Sequence, residues 1–252
     1  MEFKDKVVVI TGSSSGIGAA TAVAFAKLSA KVVIIGRKEN QLETVSKLCE
    51  EIKGVKPLVI KAELTNDAEL KRIVDETVKK FGQIDILVNN AGVGGVAGLN
   101  DGIEHYDKIM STNVRSVYLL TSLVVPYLIK TKGNIVNVSS IAAKKPLPDF
   151  LSYCISKAGL DMFTKCIAKQ LARDGVRVNS VNPGTVKTNF QTACGMTQTE
   201  ADDFLESRAE TSPLGKIATS EEVADLITYL ASDKAKSITG SIYFIENGQL
   251  FT

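Results

Sequence analysis

The chain has 252 residues and a mass of 27.0 kDa, with 44% hydrophobic and 23% charged residues. This suits one α/β domain with a sizeable core and excludes wholesale disorder. Lys and Arg total 30 against 28 Asp and Glu, a net charge of +2 with no basic block, which argues against nucleic acid as a partner.

Short β-branched runs alternate with helical stretches along the chain. Residues 6–11, 31–36, 57–62, 84–89, 134–139, 176–181 and 241–246 predict strands. They are nearly continuous in Val and Ile, as expected of strands covered on both faces. Helical periodicity covers 16–29, 40–53, 67–81, 104–130, 152–173 and 220–231. This alternation, with right-handed crossovers, predicts a single α/β domain over 1–252, a Rossmann-type doubly wound sheet of about seven parallel strands. Residues 185–213 carry no strand, and a long connection with a short helix at 200–209 is predicted, with a substrate lid around 188–212.

The longest apolar stretch, 117–129, is broken by Thr121, Ser122 and Pro126 and falls short of the roughly 20 residues of a membrane span, so no membrane partner is expected. The charged start has no apolar segment of the secretory kind. Cys49, Cys154, Cys166 and Cys194 show no metal-type spacing and read as reduced, buried thiols of a cytoplasmic protein. His105 is the only histidine and, among polar neighbours, is expected at a solvated surface position. It leaves a Ser-His-Asp hydrolase with one poorly placed base and excludes a multi-histidine centre, so no metal is expected.

The first strand runs into Thr11-Gly12-Ser13-Ser14-Ser15-Gly16-Ile17-Gly18 and then a helix. Glycines at such a turn let the backbone approach a pyrophosphate, whose charge the helix N-terminus favours. The spacing is GxxxGxG, and a ligand-free βα turn would use the same glycines. The fourth strand ends in Asn89-Asn90-Ala91-Gly92, where amides either hydrogen-bond a cofactor or cap the strand. Tyr153 and Lys157 share a helix face at i and i+4, so the ammonium is expected to lower the phenol's pKa for use as acid and base. Ser140 ends the fifth strand, thirteen residues before Tyr153, where its hydroxyl could polarise a carbonyl.

Together Thr11-Gly-(x)3-Gly-Ile-Gly, Asn89-Asn-Ala-Gly, Asn113, Ser140, Tyr153-(x)3-Lys157 and Asn182-Pro-Gly resemble the classical short-chain dehydrogenase/reductase family over essentially the whole chain. The resemblance implies an NAD(P)(H)-dependent oxidoreductase acting on a carbonyl or secondary alcohol. Tyr153 would be the acid/base, Lys157 would lower its pKa and hold the nicotinamide ribose, and Ser140 would orient the substrate oxygen. Asn113 would hold a water that passes the proton onward. Gly12, Ser14, Ile17 and Gly18 would lie along the pyrophosphate and Asn90 beside the adenosine ribose, with Gly92 also at the cofactor. Pro183, Gly184, Val186 and Thr188 would border the nicotinamide. Glu63 stands where the family usually places Asp to meet the adenine amine, and it can accept the same hydrogen bond. The resemblance also implies a homotetramer or homodimer built on the helices that carry Asn113 and Tyr153.

The second strand ends Ile35-Gly36-Arg37-Lys38, with no acid before Glu39 to accept from a ribose 2′-hydroxyl. Arg37 can clamp a 2′-phosphate instead, so NADP(H) is preferred and NAD(H) possible. The alternative of a different class is a catalytically silent, cofactor-binding regulatory protein of the same fold; the intact Asn113, Ser140, Tyr153 and Lys157 set speaks for the enzyme. A nucleotide-sugar epimerase would need a larger substrate domain than this length supplies. Phe190, Met196 and Phe204 in the lid suit many ketones and do not select one.

Overall fold

A computed structural model describes residues 3–53 and 55–252. Seven strands form one parallel sheet in the order β3-β2-β1-β4-β5-β6-β7, with β1 Val7–Thr11, β2 Lys31–Gly36, β3 Leu58–Lys61, β4 Ile86–Asn89, β5 Asn134–Val138, β6 Arg177–Pro183 and β7 Ile242–Ile245. The order reverses between β1 and β4, and a crevice opens at the strand carboxyl ends at such a switch point.

Successive side chains of a strand point to opposite faces, and here both faces are covered. Val8 and Ile10 pack with Ala22 and Phe25 of α1 (Gly16–Lys27), Leu42 of α2 (Glu39–Lys53) and Ile227 of the last long helix. Val7 and Val9 pack on the other face with Leu70 and Ile73 of α3 (Asp67–Phe81) and with Leu120 and Leu171. That double burial is why the strand sequences are continuous in Val and Ile. Burying each such side chain contributes about 1.5–3 kcal/mol.

The predicted helix at 104–130 is interrupted. It consists of α4 (Ile103–Met110), a π-helical turn at Ser111–Arg115 and α5 (Ser116–Thr131). A π-turn inserts one residue into the helical ladder and recurs at functional sites; this one carries Asn113. After β5 comes α6 (Leu151–Leu171), the long helix of Tyr153 and Lys157. The connection after β6 holds two helices rather than one, α7 (Phe190–Ala193) and α8 (Gln198–Thr211), followed by α9 (Ser220–Ala231). Thr197 with Glu200 and Thr219 with Glu222 make reciprocal capping bonds that start α8 and α9.

Two surface expectations fail. His105 is half-buried, with its ring against Gly95 and an enclosed Nδ1 that has no hydrogen-bond partner. Its polar sequence neighbours misled because α4 turns this position toward the loop after β4. Of the thiols only Cys49 is buried; Cys154 and Cys194 are partly open and Cys166 is exposed. Among the described residues no helix is long and apolar enough to cross a membrane, and no cluster of His, Cys, Asp or Glu could hold a metal ion.

Candidate active site

The carboxyl ends of the strands open into one cavity of about 780 Å³. At its floor Gly12 adopts φ +65°, and a Cβ there would lie 2.8 Å from the Ala91 backbone. Glycine supplies both the left-handed conformation and the close approach. Asn90 Nδ2 donates to Thr11 O at 2.9 Å and Gly12 O at 3.1 Å, tying the glycine loop to the end of β4. The N-cap Ser15 makes no side-chain bond to the helix, so the first-turn amides of α1 are left for a ligand.

All the sequence-predicted site residues line this cavity except Gly18 and Asn113. Gly18 is buried beneath the loop, where a Cβ would lie 2.3 Å from Gly12 O and 2.4 Å from Asn90 Nδ2. Its place in the motif is explained by the close packing of α1 on the glycine loop and Asn90, and Gly16 takes the cavity-facing position instead, with φ +53° and Thr188 against it. Asn113 is 1% exposed, accepts from Val93 N at 2.8 Å and donates to Val93 O and Ser156 Oγ. Both ends of its amide are engaged by protein, so its side chain clamps the Val93 loop.

Tyr153 and Lys157 share one face of α6, with Nζ 5.5 Å from the centre of the phenol ring. Phe190 of α7 stands on the same ring, 5.6 Å between centroids. Lys157 is buried and donates to Val138 O at 2.9 Å. Ser140 Oγ accepts from Ala142 N and faces the phenol. Burial lowers the Lys157 ammonium to about 8, against a smaller upward pull from Asp161. Burial pushes the Tyr153 phenol up, Ser140 pulls it down, and Cys194 and Cys154 add upward pushes. Part of the Tyr153 surface remains open to the cavity, which tempers the push. The expected lowering of the phenol by Lys157 does not emerge: desolvation is the largest influence on the phenol and pushes it up, and the Lys157 ammonium sits over the ring face and donates to Val138 O.

At the other end of the cavity Arg37 lies 3.7 Å from Glu63, both well exposed. Lys38 and Gln41 line the same region and were not singled out from the sequence. Lys38 adjoins Arg37, and that paired charge at a strand end was the available signal. Gln249 was also missed. It is buried, accepts from Thr185 N at 3.0 Å and donates to Ser212 Oγ at 2.9 Å, joining the β6 end to the end of α8. No local motif marks such a long-range bridge.

Residues 12–249 match the family model described as enoyl-(acyl carrier protein) reductase. The 3-oxoacyl-[acyl-carrier-protein] reductase of Thermotoga maritima is 38% identical over 251 residues, covering 98% of this chain and 99% of that one. A short-chain dehydrogenase/reductase of Caenorhabditis elegans, solved with cofactor, superimposes with TM-score 0.95 at 38% identity, covering 99% of this chain and 97% of the other. L-Sorbose reductase from Gluconobacter frateurii, solved with NADPH and L-sorbose, gives TM-score 0.92 at 33% identity, covering 100% and 99%. The chain belongs to the classical short-chain dehydrogenase/reductase family. It is an NAD(P)-dependent oxidoreductase of the class acting on CH–OH or carbonyl groups.

Gly18→Ala forces a methyl against backbone that cannot yield. NAD(P)(H) affinity in a fluorescence titration is expected to fall tenfold or more, about 1.4 kcal/mol or above. A wild-type affinity would show that the loop tolerates the added carbon.

Proposed function

We propose that this enzyme reduces a small-molecule ketone to a secondary alcohol, or runs the reverse oxidation, with Tyr153 as proton donor and acceptor and NADP(H) as the preferred cofactor. The observation that carries the reading is the convergence of Tyr153, Lys157 and Ser140 on one cavity whose far end is the glycine loop. The cavity fits a dinucleotide on this chain's own geometry. Gly12, Gly16 and Gly92 line it without side chains, and a Cβ at Gly92 would reach within 3.4 Å of Lys157 Nζ. Gly12, Ser14 and Ile17 would hold the pyrophosphate, with Gly16 beside them. Asn90 and Glu63 would flank the adenosine, and Gly92, Lys157, Pro183, Gly184, Val186 and Thr188 the nicotinamide half. When bound, the cofactor supplies or takes the hydride.

The protein's own residues handle the proton. Ser140 offers a hydroxyl to the substrate oxygen, and the phenol of Tyr153 gives its proton to that oxygen as it becomes an alkoxide. Desolvation favours the protonated phenol, which suits a donor in carbonyl reduction. Lys157 presents a positive charge beside the ring and the ribose, and Asn113 holds the floor of the site through Val93. Residues 188–212, as a lid, cover the substrate with Phe190 already on the Tyr153 ring. The bound sugar ketone and NADPH of the Gluconobacter frateurii relative support both the substrate class and the cofactor. Assembly as a homodimer or homotetramer uses α5 and α6, where Tyr118, Ile155 and Met162 are exposed; a monomer in light scattering would exclude it.

Tyr153→Phe keeps the ring but removes the proton. Turnover with a ketone panel, followed by NADPH absorbance, is expected to drop about 10²- to 10⁴-fold while NADPH still binds. The Lys157 ammonium, lowered to about 8, is present below that pH and lost above it. Wild-type carbonyl reduction should therefore fall as pH rises through about 8 once chemistry is rate-limiting. Near wild-type turnover in the Phe variant would remove Tyr153 from the mechanism.

Cofactor choice rests on Arg37, with Lys38 beside it. A charge-assisted bond contributes about 1.5–3 kcal/mol, so Arg37→Ala should weaken NADPH about ten- to a hundredfold and leave NADH nearly unchanged. The ratio of kcat/KM for NADPH over NADH is the readout. A wild-type ratio below one, or one indifferent to Arg37→Ala, would leave Arg37 as the solvated partner of Glu63.

A further inference from the structure

Phe190 of α7 meets the Tyr153 ring with 5.6 Å between centroids and 49° between planes. Among the described residues it is the aromatic ring in contact with that phenol. Its far edge rests on the loop after β4. A Cβ at Gly94 would lie 2.5 Å from Phe190 Cζ and 3.2 Å from its Cε1. The ring is wedged between the phenol and a bare stretch of backbone.

Two anchors hold it there. Thr188 Oγ1 accepts from Phe190 N at 3.2 Å, and the Thr188 methyl packs on Gly16 in the glycine loop. Cys194, four residues further on, donates its backbone amide to Phe190 O at 3.0 Å. Its thiol also faces Gly94, where the same Cβ would come 3.0 Å from Sγ. Phe190 and Cys194 thus grip one residue from one end of the lid. Gly94 does not adopt a left-handed conformation, so its backbone would admit an alanine. What the site takes from Gly94 is the missing side chain.

A carbonyl carbon carries two substituents, and both must find room when its oxygen reaches Tyr153 and Ser140. The Phe190 ring already occupies the space beside the phenol, on the lid side of the cavity. Met196 and Phe204 line the same cavity and close it further along the lid. A packed wall discriminates by size, and one methylene in such a pocket changes rates about 10- to 200-fold.

We propose that Phe190 is a specificity-determining residue: seated on Gly94, its ring limits the carbonyl substituent beside Tyr153 to a small alkyl group, so alkyl ketones are admitted and aryl ketones are turned away. The proposal rests on the reading of Tyr153 as the acid that meets the carbonyl. Removing the ring leaves a space of the size of a phenyl group, which identifies the probe to use.

Ethyl acetoacetate and ethyl benzoylacetate differ only in carrying a methyl or a phenyl on the ketone. Their dissociation constants for the full-length protein loaded with NADP⁺ are measured by NMR titration, where no reduction can occur. Wild type is expected to favour the methyl ketone. Phe190→Ala should shift the ratio toward the phenyl ketone by about tenfold or more, and kcat/KM with NADPH should move the same way. Should alanine unseat the lid, Phe190→Leu keeps an apolar contact and should shift the ratio in that direction by about threefold or more. Gly94→Ala must displace the ring, so it should change the ratio in otherwise wild-type protein and leave it nearly unchanged in Phe190→Ala. A wild-type preference for the phenyl ketone overturns the proposal, as does a ratio unmoved in both Phe190 variants. An equal effect of Gly94→Ala in both backgrounds overturns the seat on Gly94. Turnover retained by Tyr153→Phe would overturn the catalytic reading instead, and the binding ratio would still report whether Phe190 sets the size.

Discussion

The close approach of the glycine loop to the end of β4 is the constraint on which the rest of this site depends. Thr11 Oγ1 accepts from the backbone amides of Asn90 and Ala91, and Asn90 returns two bonds to the loop carbonyls. These contacts cross the point where strand order reverses, so they hold open the edge at which a dinucleotide can lie. Gly12 and Gly18 serve this approach from two sides. One supplies the left-handed turn, the other the missing side chain under it. A site of this kind comes from what glycine lacks.

Behind that edge, hydrogen bonds rather than apolar contacts align the catalytic half. Asn89 Nδ2 donates to Thr121 Oγ1 and Asn137 Oδ1, and Asn137 in turn donates to Thr164 Oγ1, linking β4 and β5 to α5 and α6. Each such bond contributes only about 0.5–1.5 kcal/mol net, but leaving a buried partner unpaired costs about 1–3 kcal/mol. The penalty, more than the gain, fixes which strand end faces which turn of α6. Asn113 does the same for the loop at Val93 from a π-turn that a regular helix would not provide.

The electrostatics of the site follow from burial. Tyr153 and Lys157 are both pushed toward their neutral forms, in opposite directions on the pH scale. A phenol pushed up and an amine pushed down to about 8 form a different pair from the phenol lowered by a nearby ammonium that helix spacing alone suggests. Ser140, Asp161 and the bound nucleotide's own charges are what the chain has available to adjust that balance.

The alternation of Val-Ile runs with helical stretches determined the seven-strand parallel sheet. A strand covered on both faces has no polar side to show, and few other folds need so many of them. The glycine turn, Ser140 and the Tyr153–Lys157 spacing were legible for a similar reason, since each function is local, one turn of helix or one strand end. Other features were decided only when distant segments met. The helix that reads as continuous at 104–130 is interrupted by a π-turn whose Asn113 bonds Val93, twenty residues earlier. Gly18 packs rather than lines, His105 turns inward onto Gly95, and Gln249 bridges Thr185 and Ser212. The direction of the Tyr153 shift belongs with these. Spacing along a helix reveals which charge is near, whereas desolvation depends on everything that covers the pair, and only the tertiary structure brings that cover into place.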